Sequence, residues 1–332
     1  MATKTRNKAE YLLSLVKRND HQELKKEILQ EDGTLKEGVE ELTCTTHIGE
    51  EETLLGRLLF YACNNGSLEC ACILADCCGE TVINQLYLYD TRFSRCTPLH
   101  VACWVGYIDI AKYLVKCKAK VDKTDSLGRS PVHDAAFTGH LEVVKYLLEL
   151  QPETVSAAEN DGDLPVHRAA YKGKLDVVKY LLDLQPDTIS VKSNNGGIPV
   201  HHAAFGGHLE VVKYLLELQP ETVSAKNNVG ELPVHAAAYN GMLDVVKCLL
   251  DLQPDTISVK NNIGRIPVHH AASGGHLEVV KYLLELQPET VSEKDKAGDL
   301  SVHFAAHKGK LDVVKYLLDL QRDMISVKNN VS

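Results

Sequence analysis

The sequence predicts an all-α solenoid of about eight stacked helix–turn–helix repeats with β-hairpin-like fingers and a helical N-terminal cap. Three observations predict it. A histidine recurs at His100, His133, His167, His201, His235, His269 and His303, at spacings of 33 and then five times 34. A glycine follows each one, at Gly106, Gly139, Gly173, Gly207, Gly241, Gly275 and Gly309. After each glycine comes an apolar pattern such as LEVVKYLLEL (Leu141–Leu150), whose Leu141, Val144, Leu147 and Leu148 share one helical face. Self-similarity at such a period marks stacked repeats, because one repeat alone cannot bury its apolar face.

Each element follows from local chemistry. Pro131, Pro165, Pro199, Pro233 and Pro267 sit where a first helix starts, and proline fits there because its missing N–H has no helical partner anyway. That short helix runs through an Ala-Ala pair and stops at the glycine, which turns left-handed. A longer helix follows and ends at LQP, since the residue before proline is pushed out of helical geometry. A polar turn such as Lys226–Gly230 forms the finger that reaches the next repeat. A finer alternation of GHLEVVKYLLELQPETVS with GKLDVVKYLLDLQPDTIS has a 68-residue period, which duplication of a two-repeat block explains.

The phrase TPLHVACWVG (Thr97–Gly106), with its period and its seven copies over 97–332, resembles the ankyrin repeat. A degenerate copy, RLLFYACNNGSLECACIL (Arg57–Leu74), lies upstream without the proline and histidine and with a longer connection. The array is thus expected over 53–332. The family's usual threonine before proline survives only as Thr97 and Ser130. Leu164, Ile198, Leu232, Ile266 and Leu300 replace it. Losing such a cap costs about 1 kcal/mol, so these residues are expected to form a buried apolar ladder, worth ~1.5–3 kcal/mol per side chain. Ser301 and Arg322 replace two prolines of the last repeat, which is therefore a poor cap, unless the native chain continues.

Residues 1–52 lie outside the repeat. Ala9, Leu12, Leu13 and Val16 mark one amphipathic helix, Leu24, Ile28 and Leu29 a second, and GTLKEGVEELTC is expected to hold a third. They form either a cap on the stack or an independent docking element; fifty residues are too few for a catalytic domain.

Composition bounds the function. The 332 residues are 44% hydrophobic with a formal net charge of −9, which does not suit a nucleic-acid or anionic-membrane binder. No apolar run approaches a membrane span, and the N-terminus has no signal-peptide core. Nine of ten cysteines precede residue 118, a pattern that suits a reducing, cytoplasmic compartment better than an exported disulfide scaffold. Near-identical copies also resemble arrays of eukaryotes and of intracellular bacteria that deliver proteins into host cells. Ten of the 15 histidines belong to the repeat, and the anchors are expected to bond finger backbone rather than a metal. Cys63, Cys70, Cys77, Cys103 and Cys117 fall on core positions, so neither a metal nor another cofactor is predicted. No phosphate loop or activated nucleophile is evident, so the protein is expected not to be an enzyme.

Variation is concentrated at two places that line the family's concave groove. One follows the finger glycine: Arg129, Asp163, Glu231 and Arg265. The other follows Ala-Ala and carries Trp104, Phe137, Tyr171, Phe205 and Tyr239. The residue after the anchor histidine drifts too, as Arg168, His202 and His270. Large aromatics are favoured interface anchors, although these rings could instead pack on neighbouring fingers. The resemblance implies a monomeric scaffold whose partner is another protein, or an adaptor whose first residues recruit a second one.

Overall fold

A computed structural model describes residues 2–37, 39, 43–45, 51–88 and 95–329. The chain forms two compact units, residues 1–160 and 161–332. Both are built from paired helices, as the periodicity predicts.

The first unit opens with helices Ala2–Lys17 and His21–Ile28. Asp20 caps the second, its Oδ1 accepting the Glu23 N–H at 3.2 Å. Leu12, Leu15, Val16, Leu24 and Ile28 are buried. The third helix expected near residues 33–44 is not formed by the described part of that stretch. Leu29 instead bridges Leu35, and Thr43–Thr45 pairs antiparallel with Glu51–Thr53. The reason is turn chemistry: Gly33 takes φ +86°, and Asp32 Oδ1 accepts the Thr34 N–H at 2.9 Å. An Asp-Gly step favours this tight turn over a helix.

The degenerate repeat is a genuine helix pair, Leu54–Asn65 and Leu68–Cys77, broken by Gly66 at φ +72°. Its long connection holds a short helix, Glu80–Ile83, and a two-strand finger pairing Tyr87–Leu88 with Arg95–Cys96. Phe60, Tyr87, Cys96 and Val101 form a buried cluster beside it. Two regular repeats complete the unit: Pro98–Val105 with Ile108–Lys116, and Pro131–Thr138 with Leu141–Leu150.

The second unit contains five helix pairs. The short helices are Pro165–Tyr171, Pro199–Gly206, Pro233–Tyr239, Pro267–Gly274 and Ser301–His307. The long helices are Leu175–Leu184, Leu209–Leu218, Leu243–Leu252, Leu277–Leu286 and Leu311–Asn329. Each of the first four long helices buries two valines and two leucines, for example Val211, Val212, Leu215 and Leu216. At ~1.5–3 kcal/mol per side chain, this burial outweighs any single cap or turn bond. Leu164, Ile198, Leu232 and Ile266 are buried, as an apolar ladder requires, and Leu300 is half-buried.

Two features were not anticipated. After LQP the chain makes a one-turn 3-10 helix, such as Pro220–Ser224, before extending. Proline starts it, and Thr222 Oγ1 donates to the Gln219 carbonyl at 2.7 Å. At the last repeat, where Arg322 stands for proline, the long helix continues to Asn329. With an N–H restored at 322, nothing forces the helix to stop.

Candidate functional site

The anchor histidines are fixed from both ring nitrogens. In the second unit, His235 Nδ1 accepts the Leu232 N–H at 3.1 Å, and Nε2 lies 3.0 Å from the Val259 carbonyl of the following finger. His167 and His269 repeat this with Val191 and Glu293, and His201 bonds the Glu231 carbonyl. In the first unit His100 reaches the Arg129 carbonyl at 2.9 Å. Since Nδ1 accepts an N–H, the ring proton sits on Nε2 and donates to the carbonyl. Burial holds His100, His167 and His201 down to about 4 and His235 to about 3, so they are neutral at pH 7. These five histidines tie their helix starts to the following finger, as the sequence predicts.

The fingers present the variable residues. Asn227 Oδ1 accepts the Val229 and Glu231 N–H groups, and Asn261 does the same for Ile263 and Arg265. Neighbouring fingers are bonded through backbone, as from Asn228 N–H to Asn195 O. The backbone at Glu231 and Arg265, the residues after Gly230 and Gly264, is thereby fixed.

In the second unit these positions converge on a groove of about 580 Å³. Tyr171, Phe205 and Tyr239 line it together with Asp163, Arg168, His202, Glu231, Arg265 and His270. Phe205 and Tyr239 are 41% and 45% exposed, so neither ring is tucked beneath a finger. Tyr171 stacks on Phe205 with centroids 5.9 Å apart. The close approach requires glycine after Phe205: a Cβ on Gly206 would stand 2.5 Å from the Tyr171 carbonyl, which His208 Nε2 contacts at 2.9 Å.

Histidines and carboxylates of successive repeats approach one another in the groove. His202 Nε2 lies 3.5 Å from Asp163 Oδ1, and His270 Nε2 lies 3.4 Å from Glu231 Oε1. The rings of His202 and His270 meet His167 and His235 edge-on at 5.0 and 5.3 Å. Burial lowers His202 to about 3 and His270 to about 4. Burial also raises Asp163 to about 6, with Arg168 pulling the other way. Arg265 is bound to Asp295 at 3.3 Å and lies over the Phe304 ring at 4.2 Å.

In the first unit, Trp104 stacks on Phe137 with centroids 5.1 Å apart. Arg129 is clasped by Asp125 at 2.6 Å and Asp134 at 3.5 Å, leaving 12% of its side chain exposed. Its charge is satisfied within the unit.

Sequence reasoning overlooked Asn195 and Asn227, which also line the groove. It also missed the carboxylate–histidine pairing. The signal was present: Asp163 precedes His202 by the same 39 residues that separate Glu231 from His270. Among the cysteines, Cys63, Cys70 and Cys103 are buried as expected, but Cys77 and Cys117 are only half-buried. They stand near the ends of Leu68–Cys77 and Ile108–Lys116, where the apolar face runs out. Burial pushes the thiols of Cys77 and Cys78 up to about 11 and 12. No three His, Cys, Asp or Glu side chains among the described residues come together as metal ligands.

The family described as "Ankyrin repeats (3 copies)" matches residues 16–125, 117–191, 185–258 and 235–329. The chain belongs to the ankyrin-repeat family, whose repeats generally serve as protein–protein interaction modules and are typically non-catalytic. No curated protein matches it. Among the described residues, no helix is long and apolar enough to cross a membrane.

Proposed function

We propose that the protein is a non-catalytic scaffold that grips another protein through the groove of residues 161–332. The observation that carries this reading is the convergence of the variable positions on one groove of about 580 Å³. Tyr171, Phe205 and Tyr239 supply apolar anchors, and rigid aromatics lose little entropy on binding. Asp163, Arg168, Glu231 and Arg265 supply alternating charge that selects the partner. Trp104 and Phe137 offer a further stacked pair in the first unit. His202 and His270 stand far below the range useful to a general base at neutral pH, which supports recognition over catalysis.

The N-terminal helices serve as a cap. Their buried leucines, and the 3.1 Å bond from Ser67 Oγ to the Val16 carbonyl, favour this over a free docking element. The half-buried and buried thiols suit a reducing compartment.

The test replaces Tyr171, Phe205 and Tyr239 with alanine together and compares proteins captured from a eukaryotic lysate by mass spectrometry. A partner recovered by the wild type is expected to be lost from a triple variant with unchanged helical circular dichroism. Equal recovery by that variant removes the groove reading.

A further inference from the structure

The long helices carry a second surface that the groove reading does not use. Leu184, Leu218, Leu252 and Leu286 occupy the last position of four consecutive long helices and are 51–59% exposed. Exposed leucines are ordinary singly; here they recur in register every 34 residues, each followed two positions later by an exposed proline. Consecutive long helices pack side by side, which sets the leucines in a row. A cleft of about 590 Å³ shows the local arrangement: Asp251, Pro254 and Asp255 of one repeat face Tyr282, Leu286 and Glu289 of the next.

The row is edged with acid. A carboxylate precedes every leucine, at Asp183, Glu217, Asp251 and Glu285, and another follows three positions later, at Asp187, Glu221, Asp255 and Glu289. All eight are exposed. The lysines of these helices are engaged elsewhere: Lys213 and Lys281 pair with Glu210 and Glu278 one turn earlier, and Lys179 and Lys247 lie over Tyr214 and Tyr282.

We infer that this edge docks a basic amphipathic helix of a protein partner. Charge complementarity fixes the sign: lysines or arginines flanking an apolar stripe meet the two acidic rows. Spacing fixes the conformation. Packed helices stand about 8–10 Å apart, and seven residues of α-helix advance about 10.5 Å while returning to the same face. An extended strand covers that step in about three residues, and an odd step sends the next side chain to the opposite face. A second copy of this chain would set carboxylate rows against each other, and an anionic membrane would be repelled.

The probe is a synthetic helix of about 25 residues with leucine at every seventh position, lysine on both flanks and alanine elsewhere. A control has the same composition with its leucines dispersed around the helix. Binding to the full chain is followed by fluorescence anisotropy at low and high salt. The wild type is expected to bind the first peptide, more weakly at high salt. The L218S/L252S variant, and the dispersed control, are expected to lose at least about tenfold in affinity, because burying one leucine is worth that much. Circular dichroism melting confirms that the variant remains folded, which its exposed positions permit. The Y171A/F205A/Y239A variant is expected to bind the peptide normally, so failure here is distinguishable from failure of the groove. The inference is overturned if the wild type does not bind, or if the dispersed peptide or the leucine variant binds equally well. It is also overturned if the leucines instead govern self-association in sedimentation or attachment to phosphatidylcholine vesicles.

Discussion

His235 shows what one residue does for the stack, and what acid should undo. Its neutral ring accepts from the Leu232 N–H and stands in donating range of the Val259 carbonyl. The folded value lies near 3, and those of His100, His167 and His201 near 4, all below the ordinary 6.5. The stabilisation is therefore complete above pH 6.5 and is lost as pH falls towards 4, because the unfolded chain takes up more protons. Asp163 acts oppositely, since its raised value favours the fold at low pH and that contribution fades as pH rises towards 6. Four histidines outweigh one aspartate. The melting temperature is expected to fall steadily between pH 6.5 and 4.5, and His235→Gln to flatten that slope. An unchanged slope in H235Q refutes this assignment. The repeated histidine was legible in the sequence; its carbonyl partners, 24 to 30 residues further on, were not, because they depend on where each finger lands. Leu232 sharpens the same lesson. It is 1% exposed, and its N–H is already capped by histidine. Leu232→Thr would gain a cap worth about 1 kcal/mol and lose burial worth ~1.5–3 kcal/mol. Its melting temperature is expected to fall by several degrees, and a clear rise would contradict the ladder.

At the scale of the element, helices were legible and connections were not. Proline, glycine and apolar spacing mark where helices begin and end. The 3-10 turns after LQP escaped notice because proline announces only that the preceding helix stops, not that Thr222 will close a new turn on Gln219. Among the described residues, the third N-terminal helix expected over 33–44 did not form for a similar reason, since Asp32 and Gly33 make a turn that the apolar pattern does not register. The finger is the element on which the groove depends. Gly230 has φ +78°, and a Cβ there would meet Asn262 Oδ1 at 2.4 Å and its backbone nitrogen at 2.9 Å. Gly230→Ala thus combines left-handed strain with a collision against the next finger, at a cost of about 1–3 kcal/mol. Thermal melting is expected to show this loss, and Gly33→Ala, with open space around it, a smaller one. Equal effects at both sites would mean that backbone strain alone matters and that the fingers do not support one another.

For the whole molecule, the array was legible over 97–332 because seven copies in register leave little freedom, and its degenerate member because Gly66 aligns with Gly106. The division near residue 160 was not, because no shift in the repeat pattern marks it. Stability in a stack is a sum of repeats and nearest-neighbour contacts, so a repeat with one neighbour should open before one with two. Among the described residues, the second unit contains both cases. In the helix Pro233–Tyr239 the anchor His235 is fully buried beneath a following finger. In the helix Ser301–His307 the same anchor, His303, has 55% of its side chain exposed, and among the described residues no finger follows it. Only Ser301 and Ala305 of that helix are buried, against five residues of the earlier one. Native-state hydrogen exchange should therefore find the amides of Ala305 and Ala306 exchanging at least about tenfold faster than those of Ala237 and Ala238, a difference of about 1.4 kcal/mol in opening free energy. Equal protection of the two helices would mean that the unit opens as one cooperative block, and the nearest-neighbour description would not hold for it.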